Sequence, residues 1–151
     1  MRLSQGYFMK TVIAFGSFDV LHLGHIRYLS AARKLGDRLV VIVARDESIE
    51  LFKGSRPLFD QYERLKMVSA LRMVDASVLG NKLARKSDMY NIFLRYRPSV
   101  IALGFDQRAD IPELREWLLR HGIDARIVRI RHAMRRSRYR SSALKRKLGS
   151  L

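Results

Sequence analysis

Apolar positions along this chain fall into two patterns, unbroken β-branched runs and stripes spaced at the helical period. The unbroken runs are Thr11-Val12-Ile13-Ala14-Phe15, Leu39-Val40-Val41-Ile42-Val43-Ala44 and Val100-Ile101-Ala102-Leu103. Runs with no polar alternation predict strands covered on both faces, as at the centre of a parallel sheet. The more polar Arg126-Ile127-Val128-Arg129-Ile130-Arg131 predicts a strand nearer an edge, and the short Ala76-Ser77-Val78-Leu79 predicts the opposite edge. Helical stripes lie between them. Tyr28, Leu29, Ala32 and Leu35 form one, with Gly36 as its stop, and Leu65, Met67, Val68 and Leu71 form another behind Asp60 as N-cap. Met89, Ile92, Phe93 and Tyr96 predict a helix ended by Pro98, and Leu114, Trp117, Leu118 and His121 one opened by Pro112 and closed by Gly122. Ser141 or Ser142 caps a last helix through Leu148.

Strand and helix thus alternate from end to end, which predicts an α/β fold with a parallel sheet and right-handed crossovers. Residues 1–8 read as a tail and residues 9–151 as a single domain, with no repeat or long linker. In such sheets ligands bind beyond the carboxyl ends of the strands, where the strand order reverses. That rule marks the turn after Phe15, the segment after Ala44 and the turn after Leu103.

Composition narrows the chemistry. A chain of 151 residues can bury a real core, and with no cysteine it can form neither disulfides nor thiolate metal sites. No stretch reaches the roughly 18 to 20 apolar residues of a membrane span, and there is no secretory leader pattern, so a cytoplasmic location is expected. The net charge of +16 attracts polyanions, and from Arg126 to Lys147 no Asp or Glu interrupts the basic residues. A nucleic-acid-binding module is one reading of that charge. Against it, no known binding motif is present and Tyr139 is the lone aromatic residue of the basic segment, so nucleic acid is not the expected partner. A solvated basic face is the plain reading of Arg135, Arg136 and Arg138.

The first ligand-edge turn reads Gly16-Ser17-Phe18-Asp19-Val20-Leu21-His22-Leu23-Gly24-His25. It contains neither a dinucleotide glycine fingerprint nor a P-loop. Two imidazoles straddling a helix start can converge on phosphate oxygens, where helix amides and the positive dipole end also favour an anion. Gly24 removes a side chain that would block close approach. Helix capping is the purely structural alternative for the pair. Asp19 with the histidines falls short of a metal site, because no further ligands have suitable spacing.

Gly-Ser-Phe-Asp followed by His-Leu-Gly-His resembles the signature of the cytidylyltransferase-like nucleotidyltransferases, whose motif is H-x-G-H. The resemblance runs from about Lys10 to Leu148. It implies a Rossmann-like three-layer fold with a five-stranded parallel sheet. It also implies direct attack of an acceptor phosphate on the α-phosphate of a nucleoside triphosphate, with pyrophosphate leaving and Mg2+ delivered with the nucleotide. His22, His25 and Lys53 would be catalytic. Nucleotide contacts would come from Ser17, Phe18, Leu23 and Gly24 beside the histidines, and from Arg64, Asp106, Ser141 and Ser142. Asp19, Arg131 and Arg140 would meet the acceptor. The partners implied are a triphosphate and a phosphorylated small molecule, and because relatives are often dimers a homodimer is allowed.

Two departures matter. Some relatives show a second lysine near Lys53, where this chain has Phe52 and Arg56, so the pattern leaves open which cation reaches the triphosphate in a loop suited to closing over it. On spacing alone Arg64 is an exposed helical cation and Gly104-Phe105-Asp106-Gln107 an ordinary turn. Val43-Ala44-Arg45-Asp46 and Leu103-Gly104-Phe105-Asp106-Gln107 look most like archaeal-type FAD synthases, which join AMP from ATP to FMN. Glycerol-3-phosphate cytidylyltransferase, which uses CTP, is the alternative.

Overall fold

The computed structural model of the chain describes residues 8–83, 85–131 and 141–149. Five strands form one sheet in the order β3-β2-β1-β4-β5: β1 (Thr11–Gly16), β2 (Arg38–Val43), β3 (Ala76–Leu79), β4 (Val100–Leu103) and β5 (Arg126–Arg129). Every pairing is parallel, with Ile13 opposite both Val40 and Ile101. Successive strands step outward from β1 to β3, then return to the other side of β1 as β4 and β5. The strand order therefore reverses between β1 and β4, where sheets of this kind form a ligand crevice at the carboxyl ends.

Side-chain alternation along the central strands explains the unbroken apolar runs. Val12 and Ala14 enter one core with Tyr28, Leu29 and Ala32 of α1 (Leu23–Arg33) and Val68 of α3 (Gln61–Ser69). Ile13 enters the other with Phe93 of α4 (Ile92–Tyr96) and Leu114, Trp117 and Leu118 of α5 (Ile111–Arg120). Both faces of the sheet are covered, so each strand position meets apolar neighbours whichever way it points. The α/β class and the edge places of β3 and β5 agree with the sequence reading.

Three elements differ from it. The segment after the second strand is a helix, α2 (Asp46–Lys53), followed by α3. Asp46 and Glu47 sit at its positive end, Lys53 at its negative end, and Gly54 ends it in a left-handed conformation at φ 70°. Ile49 is its buried residue, too little to leave an apolar period. The third expected helix, over Met89 to Tyr96, splits into a 3₁₀ turn (Lys86–Asn91) and the short α4. Tyr90 and Phe93, three residues apart, reach one core, and that spacing suits both helix types. The last strand stops at Arg129 rather than Arg131. The final helix, α6, covers Ser141–Leu148. Among the described residues no helix is long and apolar enough to cross a membrane.

Candidate active site

The crevice floor begins where β1 ends. Phe18 takes a left-handed conformation at φ 49°, which costs an ordinary side chain about 1–3 kcal/mol. Burial holds it there: the ring is 1% exposed and lies against Gly16, where an added Cβ would meet ring carbons at 2.8 Å. Phe18 therefore supports the floor from below. Its ring belongs to the core, so it presents no side chain to a nucleotide.

The twist at Phe18 delivers the chain to α1, whose first turn is closed by both histidines. His22 is the N-cap, and its Nδ1 accepts the Gly24 amide at 3.0 Å. His25, three residues on, accepts the His22 amide through its own Nδ1 at 3.4 Å. The reciprocal arrangement is a capping box built from two imidazoles. Their rings stack 3.8 Å apart at 25°, and His25 also meets the Phe18 ring edge-on at 5.2 Å. Since each Nδ1 accepts a main-chain proton, each neutral ring carries its hydrogen on Nε2. The chain thus offers two adjacent Nε2–H donors of fixed tautomer. Burial lowers the His22 pKa against an opposing pull from Asp106, and burial, His22 and Lys53 push that of His25 down to about 3. Both rings are neutral donors at physiological pH.

This arrangement revises one detail of the sequence reading. The Gly24 amide is taken by His22 Nδ1 and the His25 amide by the His22 carbonyl at 2.9 Å. Donation to an anion at this helix mouth accordingly falls to the imidazoles rather than to those two amides. Leu23, the first helical residue, is 44% exposed beside them.

Two cations border the pair. Lys53, at the end of α2, donates to Ser17 Oγ at 2.9 Å, which brings α2 to the turn after β1. Partial burial and then neighbouring Lys145 lower its pKa. Lys145, on α6, forms an ion pair with Asp19. The other Asp19 oxygen accepts the amides of Leu58 and Phe59 at 2.7 and 3.0 Å. Burial alone would raise this carboxyl, but Lys145 and the two amides outweigh it and hold its pKa below the usual value. With both oxygens engaged and 4% of its surface exposed, Asp19 fastens the loop before α3 and the last helix to the site. Its carboxylate is thus engaged within the fold, at the position where the resemblance implies an acceptor contact.

Arg64 is completely buried, not the exposed helical cation that its spacing alone suggests. Its guanidinium donates to the carbonyls of Phe59 (3.0 Å), Ser17 (2.6 Å) and Ala44 (2.8 Å) and to the Asp46 carboxylate (2.6 Å). Those bonds join the turns after β1 and β2 to the start of α3, so Arg64 shapes the floor.

The turn after β4 closes the far side. Gln107 accepts the Gly104 amide at 2.9 Å and donates to the carbonyl of Phe15, linking β4 to β1 across the strand reversal. Arg129 of β5 donates to the carbonyls of Gly104 and Gln107 at 2.8 and 2.9 Å. Asp106 stands exposed on this turn, near enough to raise the His22 pKa. Arg131 is exposed just beyond β5, and Arg140 lies outside the described residues. Ser141 and Ser142 open α6, and their side chains also lie outside the description.

Sequence reading missed Lys145, Gln107 and Arg129. Lys145 was one basic residue in an uninterrupted series. The signal that singles it out is the buried Asp19, which needs a counter-charge that only the fold reveals. Gln107 and Arg129 act through main-chain atoms, and such bonds leave no residue pattern. Among the described residues, no group of three or more His, Cys, Asp or Glu converges as a metal cage.

Known proteins resemble this chain in sequence and in fold. A cytidylyltransferase-like family model matches residues 13–147. A FAD synthase of Thermoplasma acidophilum is 45% identical over 122 residues, 81% of this chain and 82% of the relative. A FAD synthase of Ferroglobus placidus is 44% identical over 123 residues, 82% of this chain and 77% of the relative. The crystal structure of a Thermoplasma volcanium lipopolysaccharide core biosynthesis protein superposes with a TM-score of 0.75 at 44% identity, over 82% of this chain and 98% of that one.

Proposed function

Because this chain belongs to the cytidylyltransferase-like family, we propose that it is an FMN adenylyltransferase, joining AMP from ATP to FMN to give FAD and pyrophosphate. The observation that carries the chemistry is the stacked, main-chain-locked histidine pair at the strand reversal. Relatives named FAD synthase, at 45 and 44% identity over four-fifths of the chain, carry the choice of substrates.

In this reading an FMN phosphate oxygen attacks the α-phosphorus, a new P–O bond forms, and the bond to the β-phosphate bridging oxygen breaks. Negative charge grows on the equatorial oxygens and on the leaving pyrophosphate. Nucleotidyl transfer asks the protein for positioning and for donors placed where that charge develops. His22 and His25 supply two Nε2–H donors that need no reorientation during the reaction. Being neutral, they stabilise charge by hydrogen bonding and not by giving up a proton. Lys53 supplies its ammonium beside Ser17. No covalent enzyme intermediate is required.

A divalent ion such as Mg2+, bound to the triphosphate, would withdraw charge from the leaving group. Such an ion keeps several waters and takes only one or two protein carboxylates, which fits a site without a cage. Asp19 and Asp46 are engaged by Lys145 and Arg64, whereas Asp106 makes no hydrogen bond among the described residues and is exposed at this rim. In this reading Asp106 would touch the ion or the ribose. The high positive charge of the chain suits two substrates that both carry phosphate.

The test combines ATP or CTP with FMN or glycerol 3-phosphate and measures pyrophosphate release. Release with ATP and FMN, accompanied by FAD, is expected. Release confined to CTP and glycerol 3-phosphate would replace this substrate assignment with the cytidylyltransferase one.

A further inference from the structure

We propose that Lys145 is a second triphosphate-binding cation, carried into the crevice by the last helix and held at Asp19 until the nucleotide arrives. The inference rests on reading the crevice as a nucleoside triphosphate site, and it answers which cation stands in for the second lysine missing near Lys53.

The geometry is direct. Asp19 follows the left-handed residue at the end of β1, three residues before His22, and is 4% exposed. One of its oxygens is filled by the amides of Leu58 and Phe59, and the other is met by Lys145. The Lys145 side chain keeps 34% of its surface in water while its ammonium is anchored at Asp19. An ammonium has three N–H donors. Lys53 is anchored in the same way by Ser17, two residues before Asp19.

Two ammonium groups on separate helices therefore converge on residues 17 and 19. They are close enough to oppose each other, and Lys145 is the leading charge that lowers the Lys53 pKa. Like charges brought together in this way mark a place where a polyanion relieves repulsion. Arg146 and Lys147 follow on α6 and are exposed. Among the described residues of the basic end, Lys145 is distinguished by the buried carboxylate that receives it.

The experiment titrates inorganic tripolyphosphate into wild type, Lys145→Met, Lys145→Arg and Arg146→Ala, and measures KM for ATP and FMN separately. Loss of one charge-assisted hydrogen bond should weaken tripolyphosphate binding in Lys145→Met by about tenfold or more. Lys145→Arg should restore most of that affinity, and Arg146→Ala should bind like wild type. In the FAD-forming assay, KM for ATP should rise in Lys145→Met while KM for FMN stays within about twofold. A merely structural role for Lys145 would not produce that split or the rescue by arginine.

The proposal is overturned if Lys145→Met binds tripolyphosphate like wild type, if wild type does not bind it, or if Arg146→Ala loses as much as Lys145→Met. Failure of wild type to make FAD would remove the substrate assignment alone, because the tripolyphosphate titration judges Lys145 without FMN.

Discussion

Acid should destabilise this protein through His25 well before its carboxylates titrate. In the folded chain burial, His22 and Lys53 push the His25 pKa from 6.5 down to about 3. The unfolded chain regains the ordinary value and binds a proton first as pH falls. Stability from this ring is therefore fully present above the unfolded pKa and is lost progressively between about pH 6.5 and 3. At about pH 5 the linkage amounts to about 2 kcal/mol from His25 alone, a sizeable part of a small domain's total. The structural reason is explicit. A proton on His25 Nδ1 would face the His22 amide that it now accepts, breaking the capping box. Urea unfolding at about pH 7.5 and about pH 5 measures the effect in wild type and in His25→Asn, which retains an acceptor but does not titrate. Wild type should lose about 2 kcal/mol more than the variant. Equal losses in the two proteins, or a His25 ring that titrates near its ordinary pKa in the folded state, would refute the reasoning.

Three further outcomes follow from the site. His22→Ala and His25→Ala should each lower turnover by about 10²–10³ without unfolding the chain, as checked by circular dichroism and steady-state kinetics. Wild-type turnover in a folded His25→Ala would remove the ring from the chemistry. Arg64→Met should cost about 2–4 kcal/mol by urea denaturation, less than a fully buried pair because Asp46 keeps 34% of its side chain exposed; a loss near zero would mean the four hydrogen bonds are redundant. Gly16→Ala should cost about 1–3 kcal/mol, because its Cβ would meet the Phe18 ring at 2.8 Å. An unchanged melting temperature would show that Phe18 can move aside freely.

What the sequence disclosed depended on whether a residue's role is expressed through its neighbours in the chain. The central strands were legible because burial on both faces leaves continuous apolar runs, as in Leu39 to Val43. The histidine pair was legible because both members lie in one turn. Helix α2 was not, since a single buried Ile49 leaves no stripe and its ends are set by charge and by Gly54. Arg64 looked like a surface cation because two of the three carbonyls around it, those of Ser17 and Ala44, come from segments 47 and 20 residues away. Asp19 resembled an acceptor ligand for the same reason: its partners at Leu58, Phe59 and Lys145 become neighbours only after the chain has folded.

The placement of Arg64 separates the durability of the crevice from that of its contents. Three main-chain carbonyls and a carboxylate converge on one planar cation that water does not reach. A lysine could not fan its protons out to the same set of acceptors, so exchanging the two would not be a conservative change. Dissolved ions screen the exposed lysines at the rim far more than this sealed guanidinium. As ionic strength rises, the enzyme should give up its phosphorylated ligands while the floor beneath them keeps its shape.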